Sequence, residues 1–337
     1  MPERQKQIED WLKQAPEFAA LDIRPASADA SFRRYFRVRN GSGVSYIVMD
    51  APPDKEDMRP FLQVDALFLG MGLNVPRVLR ADAERGFYLL SDLGDAHYLR
   101  ALNGGTVQRL YGDALGALLV IQAQGPQRDE LPPYDRPMLL REMALFRDWL
   151  AGEHLGMRLD APQASMLERC FDLLAESALA QPQVCVHRDY HSRNLMVTAS
   201  NNPGILDFQD AVIGPLTYDL VSLLRDCYIA WPRDRVEGWA LGYRELALQS
   251  GVLRADIADE KRFLQWFDWM GVQRHLKAAG IFARLYRRDG KPGYLADIPR
   301  TLGYVVDVAS RYPELSGLDT LAQAVIERLP QRAPSSQ

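Results

Sequence analysis

What most restricts the fold of this chain is a break in its helical half. From about Asp92 onward, helical periodicity dominates residues 107–123, 137–150, 164–180 and most of 218–309. Between these runs stand Val184-Cys185-Val186, a buried-strand pattern, and then the polar run His187-Arg188-Asp189-Tyr190-His191-Ser192-Arg193-Asn194. Leu195-Met196-Val197 reads as a second short strand, Asn201-Asn202-Pro203-Gly204 as a turn, and Ile205-Leu206 as a third strand ending at Asp207. If 195–197 and 205–206 pair as a hairpin, Asn194 enters at the end where Asp207 exits. An amide oxygen then lies beside a carboxylate, with Asp189 on the adjoining loop.

The region before Asp92 has a different texture. A short amphipathic helix carrying Ile8, Trp11 and Leu12 precedes residues 31–38, where aromatic and basic side chains alternate. Asn40-Gly41-Ser42-Gly43 and a second apolar run, 44–49, complete a hairpin pattern that Pro52-Pro53 ends. Phe61, Val64, Leu67 and Phe68 predict a helix from Pro60 to Gly70; 75–79 and 87–90 are short strand candidates. The expected class is α+β: a small β-rich part over 1–91 and a larger, mostly helical part over 92–337. No internal repeat is visible.

Composition narrows the alternatives. With 47% hydrophobic and 25% charged residues, 24 Gly and 21 Pro, collagenous, low-complexity and disordered readings are excluded. A formal charge of −4 argues against a dedicated nucleic-acid binder. Three cysteines without a Cys-x-x-Cys make a disulfide framework or zinc ribbon a poor reading. No signal-peptide core is present, and the longest apolar stretch, from Leu115 to Ile121, is too short for a bilayer. The expectation is a cytoplasmic monomer with no membrane or nucleic-acid partner.

A carboxylate and an amide oxygen near a second carboxylate suit Mg²⁺, a hard cation that takes few protein ligands. The spacing His-Arg-Asp-x-x-x-x-Asn followed by Asp-Phe is that of a kinase catalytic loop. Four specified positions at about 5% each arise by accident on the order of 2 in 1000 for a chain of this length. In that template Asp189 orients the substrate hydroxyl, and Asn194 and Asp207 hold the metal.

Asp189-Tyr190-His191-Ser192-Arg193-Asn194 resembles the Asp-x-His-x-x-Asn of the aminoglycoside phosphotransferase and choline kinase group of small-molecule kinases. Gly214-Pro215-Leu216-Thr217-Tyr218-Asp219-Leu220 resembles that group's next segment, whose Asp, here Asp219, supports the loop. Residues 31–38, Met49-Asp50-Ala51-Pro52-Pro53, Leu89-Leu90-Ser91-Asp92-Leu93-Gly94 and Gln209-Asp210-Ala211 are similar to the bacterial anomeric sugar kinases of cell-wall recycling, which phosphorylate N-acetylmuramate and N-acetylglucosamine at C1. The resemblance implies a bilobal, protein-kinase-like fold, with a nucleotide-binding N-lobe over 1–91 and a C-lobe over 92–337 for the catalytic loop and sugar binding, together with ATP, Mg²⁺ and an amino-sugar substrate. It also implies nucleotide contacts at Ser31, Arg33, Arg34, Ser91 and Leu93, and substrate contacts at His191, Arg193 and Asp210. His187 is expected to hold the loop through a backbone contact, a role open to His191 as well.

Two features depart from a standard kinase. No Gly-rich loop is present, and Met49 stands where a phosphate-pairing lysine is usual, so that charge falls to Arg33 or Arg34. Farther on, Arg274, Lys277, Arg284 and Arg288 share one helical face, while Val272, Leu276, Ala279, Ala283 and Tyr286 share the face expected to be buried. The basic face is either solvated or an electropositive wall formed by Arg274, Lys277 and Arg284 for an anionic substrate. Choline would instead require an aromatic cage, for which Trp231, Trp266, Trp269 and Tyr228 are the available residues. A catalytically silent nucleotide-binding regulator is the alternative of another class.

Overall fold

A computed structural model describes residues 2–19, 21–28, 32–126, 130–257 and 259–330. In chain order the main elements are α1 (Pro2–Leu12), β1 (Asp22–Ala28), β2 (Arg34–Arg39), β3 (Ser45–Asp50), α2 (Arg59–Gly70), β4 (Val78–Asp82), β5 (Phe87–Ser91), α3 (Tyr98–Ala101), α4 (Val107–Gln124), α5 (Arg136–Leu145) and α6 (Ala161–Leu179). They continue with β6 (Gln183–Val186), β7 (Leu195–Met196), β8 (Gly204–Ile205), β9 (Val212–Pro215), α7 (Tyr218–Leu224), α8 (Arg233–Gln249), α9 (Glu260–Asp289), α10 (Ile298–Ala309) and α11 (Leu318–Arg328). Two compact units result: Met1–Ala101 with Asn194–Asp210, and Leu102–Arg193 with Ala211–Gln337.

The first unit is built on an antiparallel sheet of order β1-β2-β3-β5-β4. The hairpin expected around Asn40-Gly41 is β2–β3, in register from Arg34 opposite Asp50 to Arg39 opposite Ser45. Its buried face packs Val38, Val48, Phe87 and Leu89 against Ile8, Trp11 and Leu12 of α1, joined by Phe18. Strand β1 is absent from the periodicity reading, because Pro25 interrupts it. Proline is tolerated there because β1 is an edge strand, and the register shifts between Pro25 and Ser27. Helix α2 lays Phe61 and Phe68 on Phe208, with ring centroids 5.2 and 5.6 Å apart. That anchors the segment after Asp207 within this unit.

The second unit is organised around the 30-residue α9. Asp259 caps its start by accepting from the Arg262 N–H, and Gly290, at φ +66°, ends it in the left-handed region. Helix α9 packs against α5, α6, α7 and α10. The approach to the end of α5 is so close that a Cβ on Gly280 would lie 2.5 Å from the Leu145 carbonyl oxygen. The helix expected over 137–150 is α5 followed by a π-helical segment, Phe146–His154. Strand β6 pairs with β9, so a two-stranded ribbon leads directly into the polar run at His187. Among the described residues no helix is long and apolar enough to cross a membrane, and Cys170, Cys185 and Cys227 are free and buried.

Candidate active site

A strained backbone residue and two buried carboxylates set the loop after β6. Arg188 adopts φ +77°, a region sparsely populated by non-glycine residues and one that recurs where surrounding structure imposes a local conformation. Asp219, at the start of α7, supplies that structure: its Oδ2 accepts from the His187 N–H at 2.6 Å and its Oδ1 from the Arg188 N–H at 3.0 Å. The Asp189 N–H in turn donates to His187 Nδ1 at 3.3 Å. On the far side, Asp226 accepts from both the N–H and the hydroxyl of Ser192, at 2.9 and 2.5 Å. Asp189 is thus carried on a short segment held at both ends by buried carboxylates.

The electrostatics divide these acids. Burial pushes the Asp219 carboxyl up to about 7. Burial also disfavours the charged form of Asp189, but the positive charges nearby, Lys277 first and then Arg274 and Arg188, outweigh it and hold Asp189 below the ordinary carboxylate range. Asp189 is therefore a carboxylate at neutral pH, able to accept a hydrogen bond from a hydroxyl. Burial lowers His191, which favours its neutral form there.

A buried network adjoins this loop. Glu142 of α5 accepts from Arg188 Nη2 at 2.5 Å and from Lys277 Nζ at 3.2 Å, and bonds the Tyr134 hydroxyl. Lys277 also donates to the Tyr218 hydroxyl at 2.9 Å. Here the expectation of a solvated basic face is corrected: Arg274 and Lys277 are 5% and 7% exposed, while Tyr286, expected in the core, is 37% exposed. Helix α9 is enclosed on nearly every side around Arg274, so the stripe is divided among different neighbours. Lys277 is committed to Glu142. Half-buried Arg284 has no hydrogen-bond partner for its Nε. Arg274 has only a weak contact from Nη1 to Cys227 Sγ, at 3.7 Å.

In the first unit, the β7–β8 hairpin is the one expected from the sequence. Leu195 pairs with Ile205, and the Leu206 N–H donates to the Asn194 carbonyl at 2.9 Å. That register brings Asn194 Nδ2 to 3.3 Å from Asp207 Oδ2. Asp207 itself has φ +64°, and Gln209 Nε2 donates to its Oδ1 at 2.8 Å.

A family model of phosphotransferase enzymes matches residues 22–256. The chain belongs to the phosphotransferase enzyme family. This phosphotransferase is 47% identical over 305 residues to the N-acetylmuramate/N-acetylglucosamine kinase of Pseudomonas putida, covering 90% of this chain and 88% of the relative. Its fold is shared with an ethanolamine kinase of Plasmodium vivax, with TM-score 0.63 at 10% identity over 89% of this chain and 85% of that one. An aminoglycoside phosphotransferase solved with ADP bound aligns with TM-score 0.54 at 15% identity, over 88% of this chain and 97% of that one. The fold is the expected α+β, protein-kinase-like one.

The remaining candidate residues of the phosphotransferase have these local partners. Arg34 forms an ion pair with Asp50, which Arg4 also contacts. Arg33 is 9% exposed, with Nε 3.7 Å from Glu56. Ser91 Oγ accepts from the Arg77 N–H at 2.8 Å. The Leu93 side chain lies against Gly204, and Asp210 is exposed in a turn. Ser31 lies outside the described residues. The Arg193 guanidinium stacks 3.7 Å from the centroid of Tyr228, whose ring also meets His191 edge-on. The aromatic residues considered for a choline cage are scattered. Trp266 and Trp269 are buried, and Trp231 packs on Tyr111 and Trp239.

Sequence reasoning missed Asp226 and Glu142. Asp226 lies in a non-helical break between α7 and α8, inside a span read as helical; Pro232 was the signal for that break. Glu142 sits on the buried face of an amphipathic helix, where only its distant partners Arg188 and Lys277 give it away.

Proposed function

We propose that this phosphotransferase transfers the γ-phosphoryl group of ATP to the anomeric C1 hydroxyl of N-acetylmuramate and N-acetylglucosamine, as a cytoplasmic monomer serving peptidoglycan recycling. The observation that carries this reading is the 47% identity over 90% of the chain to a kinase of that name. Asp189, ionised and fixed between Asp219 and Ser192, supplies the acceptor for the C1 hydroxyl. A carboxylate with so low a proton affinity does not deprotonate an alcohol early. Its part is to orient the oxygen for attack and to take the proton as the bond to phosphorus forms.

The donor set beside β7 and β8 fits Mg²⁺: Asn194 offers an amide oxygen and Asp207 a carboxylate, both hard ligands. Mg²⁺ held by Asn194 and Asp207 would neutralise charge on the transferring phosphate. In this reading Ser31, Arg33, Arg34, Ser91 and Leu93 serve the nucleotide, and His191, Arg193, Asp210, Arg274, Lys277 and Arg284 the sugar side. His187 and Asp219 shape the loop.

The test is ADP release with Mg·ATP against N-acetylmuramate, N-acetylglucosamine, kanamycin and choline. Turnover on the two amino sugars is expected. Turnover confined to kanamycin or choline would overturn the substrate reading, and ATP-dependent thermal stabilisation without turnover on any acceptor would point to a silent regulator.

A further inference from the structure

We propose that Arg274 reads the substrate's carboxylate and so sets the preference between the two sugars, an inference that rests on the proposed kinase activity. N-acetylmuramate differs from N-acetylglucosamine by a lactyl ether that ends in a carboxylate. An available cation near the hydroxyl acceptor is one direct means of telling them apart. Three basic residues of α9 were candidates, and their surroundings separate them. Lys277 is paired with Glu142 at 3.2 Å and with Tyr218 at 2.9 Å. Arg284 is only half-buried, with Arg288, Asp289 and Glu142 as its nearby charges.

Arg274 is different. It is 5% exposed, its Nε has no hydrogen-bond partner, and Nη1 reaches only a thiol. No carboxylate of the described residues lies within ion-pair distance of it. Asp226, one of its electrostatic neighbours, already accepts from Ser192 and from the Tyr228 N–H. A desolvated guanidinium ordinarily has its donors filled, and one left with open donors suits a planar, bidentate carboxylate. Asp189 is another of its electrostatic neighbours, so an anion bound at Arg274 lies in the vicinity of the hydroxyl acceptor. His191 presents an unpartnered Nδ1 in the same cluster, a further polar group for a sugar substituent.

The experiment measures kcat/KM for both sugars in the wild type and in Arg274→Gln and Arg274→Lys. A charge-assisted hydrogen bond to a buried anion corresponds to roughly a 10- to 100-fold effect. The ratio of N-acetylmuramate to N-acetylglucosamine kcat/KM is expected to fall by that factor in Arg274→Gln, mainly through KM, and to recover partly in Arg274→Lys. An unchanged ratio, with both sugars still turned over, would overturn the role of Arg274 and leave the kinase reading intact. Failure of the wild type to use either sugar would overturn both. A test independent of folding uses the wild type alone with the methyl ester of N-acetylmuramate, which keeps the bulk of the lactyl group and removes its charge. A comparable loss on esterification supports the proposal, and equal use of acid and ester contradicts it.

Discussion

Asp50 in the first unit is fully buried and takes ion pairs from both Arg4 and Arg34, whereas Arg274 in the second unit is equally desolvated and has none. Both regions bury strong charge at comparable depth. Around Asp50 the charges answer one another within the chain, so that cluster ties α1 to β2 and β3. In the second, the answering charges Asp189 and Asp226 act only at longer range, and hydrogen-bonding capacity is left open. A closed charge cluster ties elements together; the open donors of Arg274 are where the proposal places a ligand carboxylate.

The largest effect that can break this division is at Asp189. Asp189→Ala is expected to lower turnover by about 10³-fold or more while leaving ATP affinity within a few-fold. Single-turnover kinetics and ATP titration check it, and a near-full rate would remove Asp189 from the reaction. Next is Asp207→Ala, expected to cost about 10²-fold in turnover and to raise the Mg²⁺ concentration needed for half-maximal rate. A Mg²⁺ titration of the variant reads both effects.

Asp50→Asn sharpens the comparison from the structural side. It leaves Arg4 and Arg34 facing a neutral group and is expected to destabilise the chain by about 3 kcal/mol, read by denaturant unfolding. The sugar preference should stay unchanged. Arg274→Gln removes an unpaired buried charge, so its melting temperature is expected to hold or rise while the preference shifts. Should Arg34→Met leave stability intact and raise the KM for ATP, Arg34 would be a phosphate ligand rather than part of a closed pair.

Much of this was legible in the sequence wherever partners are local. The Asn194–Asp207 approach follows from two short strands and an intervening Pro-Gly turn, and the β2–β3 register from Asn40-Gly41. Helices α4 and α6 follow from their apolar periodicity. What was not legible depends on partners far along the chain. Lys277 and Arg274 are three residues apart on one helical face, yet Glu142, more than 130 positions earlier, engages the first and not the second. Periodicity places a residue on a face, and only the packed neighbours decide whether its charge is answered. Strand β1 escaped because Pro25 hides an edge strand, and Asp226 because the break between α7 and α8 is short.

The smallest expected effect concerns Asp65 of α2, a carboxyl 5% exposed with Oδ1 unpartnered, which burial raises to about 6. Because the folded value exceeds the unfolded one, its contribution to stability is greatest below pH 4 and is lost as pH rises through 6. Asp65→Asn, neutral throughout, should raise the melting temperature by a few degrees at pH 8, on the order of 1–2 kcal/mol, and change little at pH 4. Calorimetry at the two pH values decides it.

The position of phosphorylation tests the account most directly. Phosphorus NMR of the product formed from N-acetylglucosamine and Mg·ATP should show one phosphomonoester coupled to the single anomeric proton, with ADP released in equal amount. Coupling to a methylene pair, the mark of the C6 ester, or ADP without any sugar phosphate, would contradict the reading.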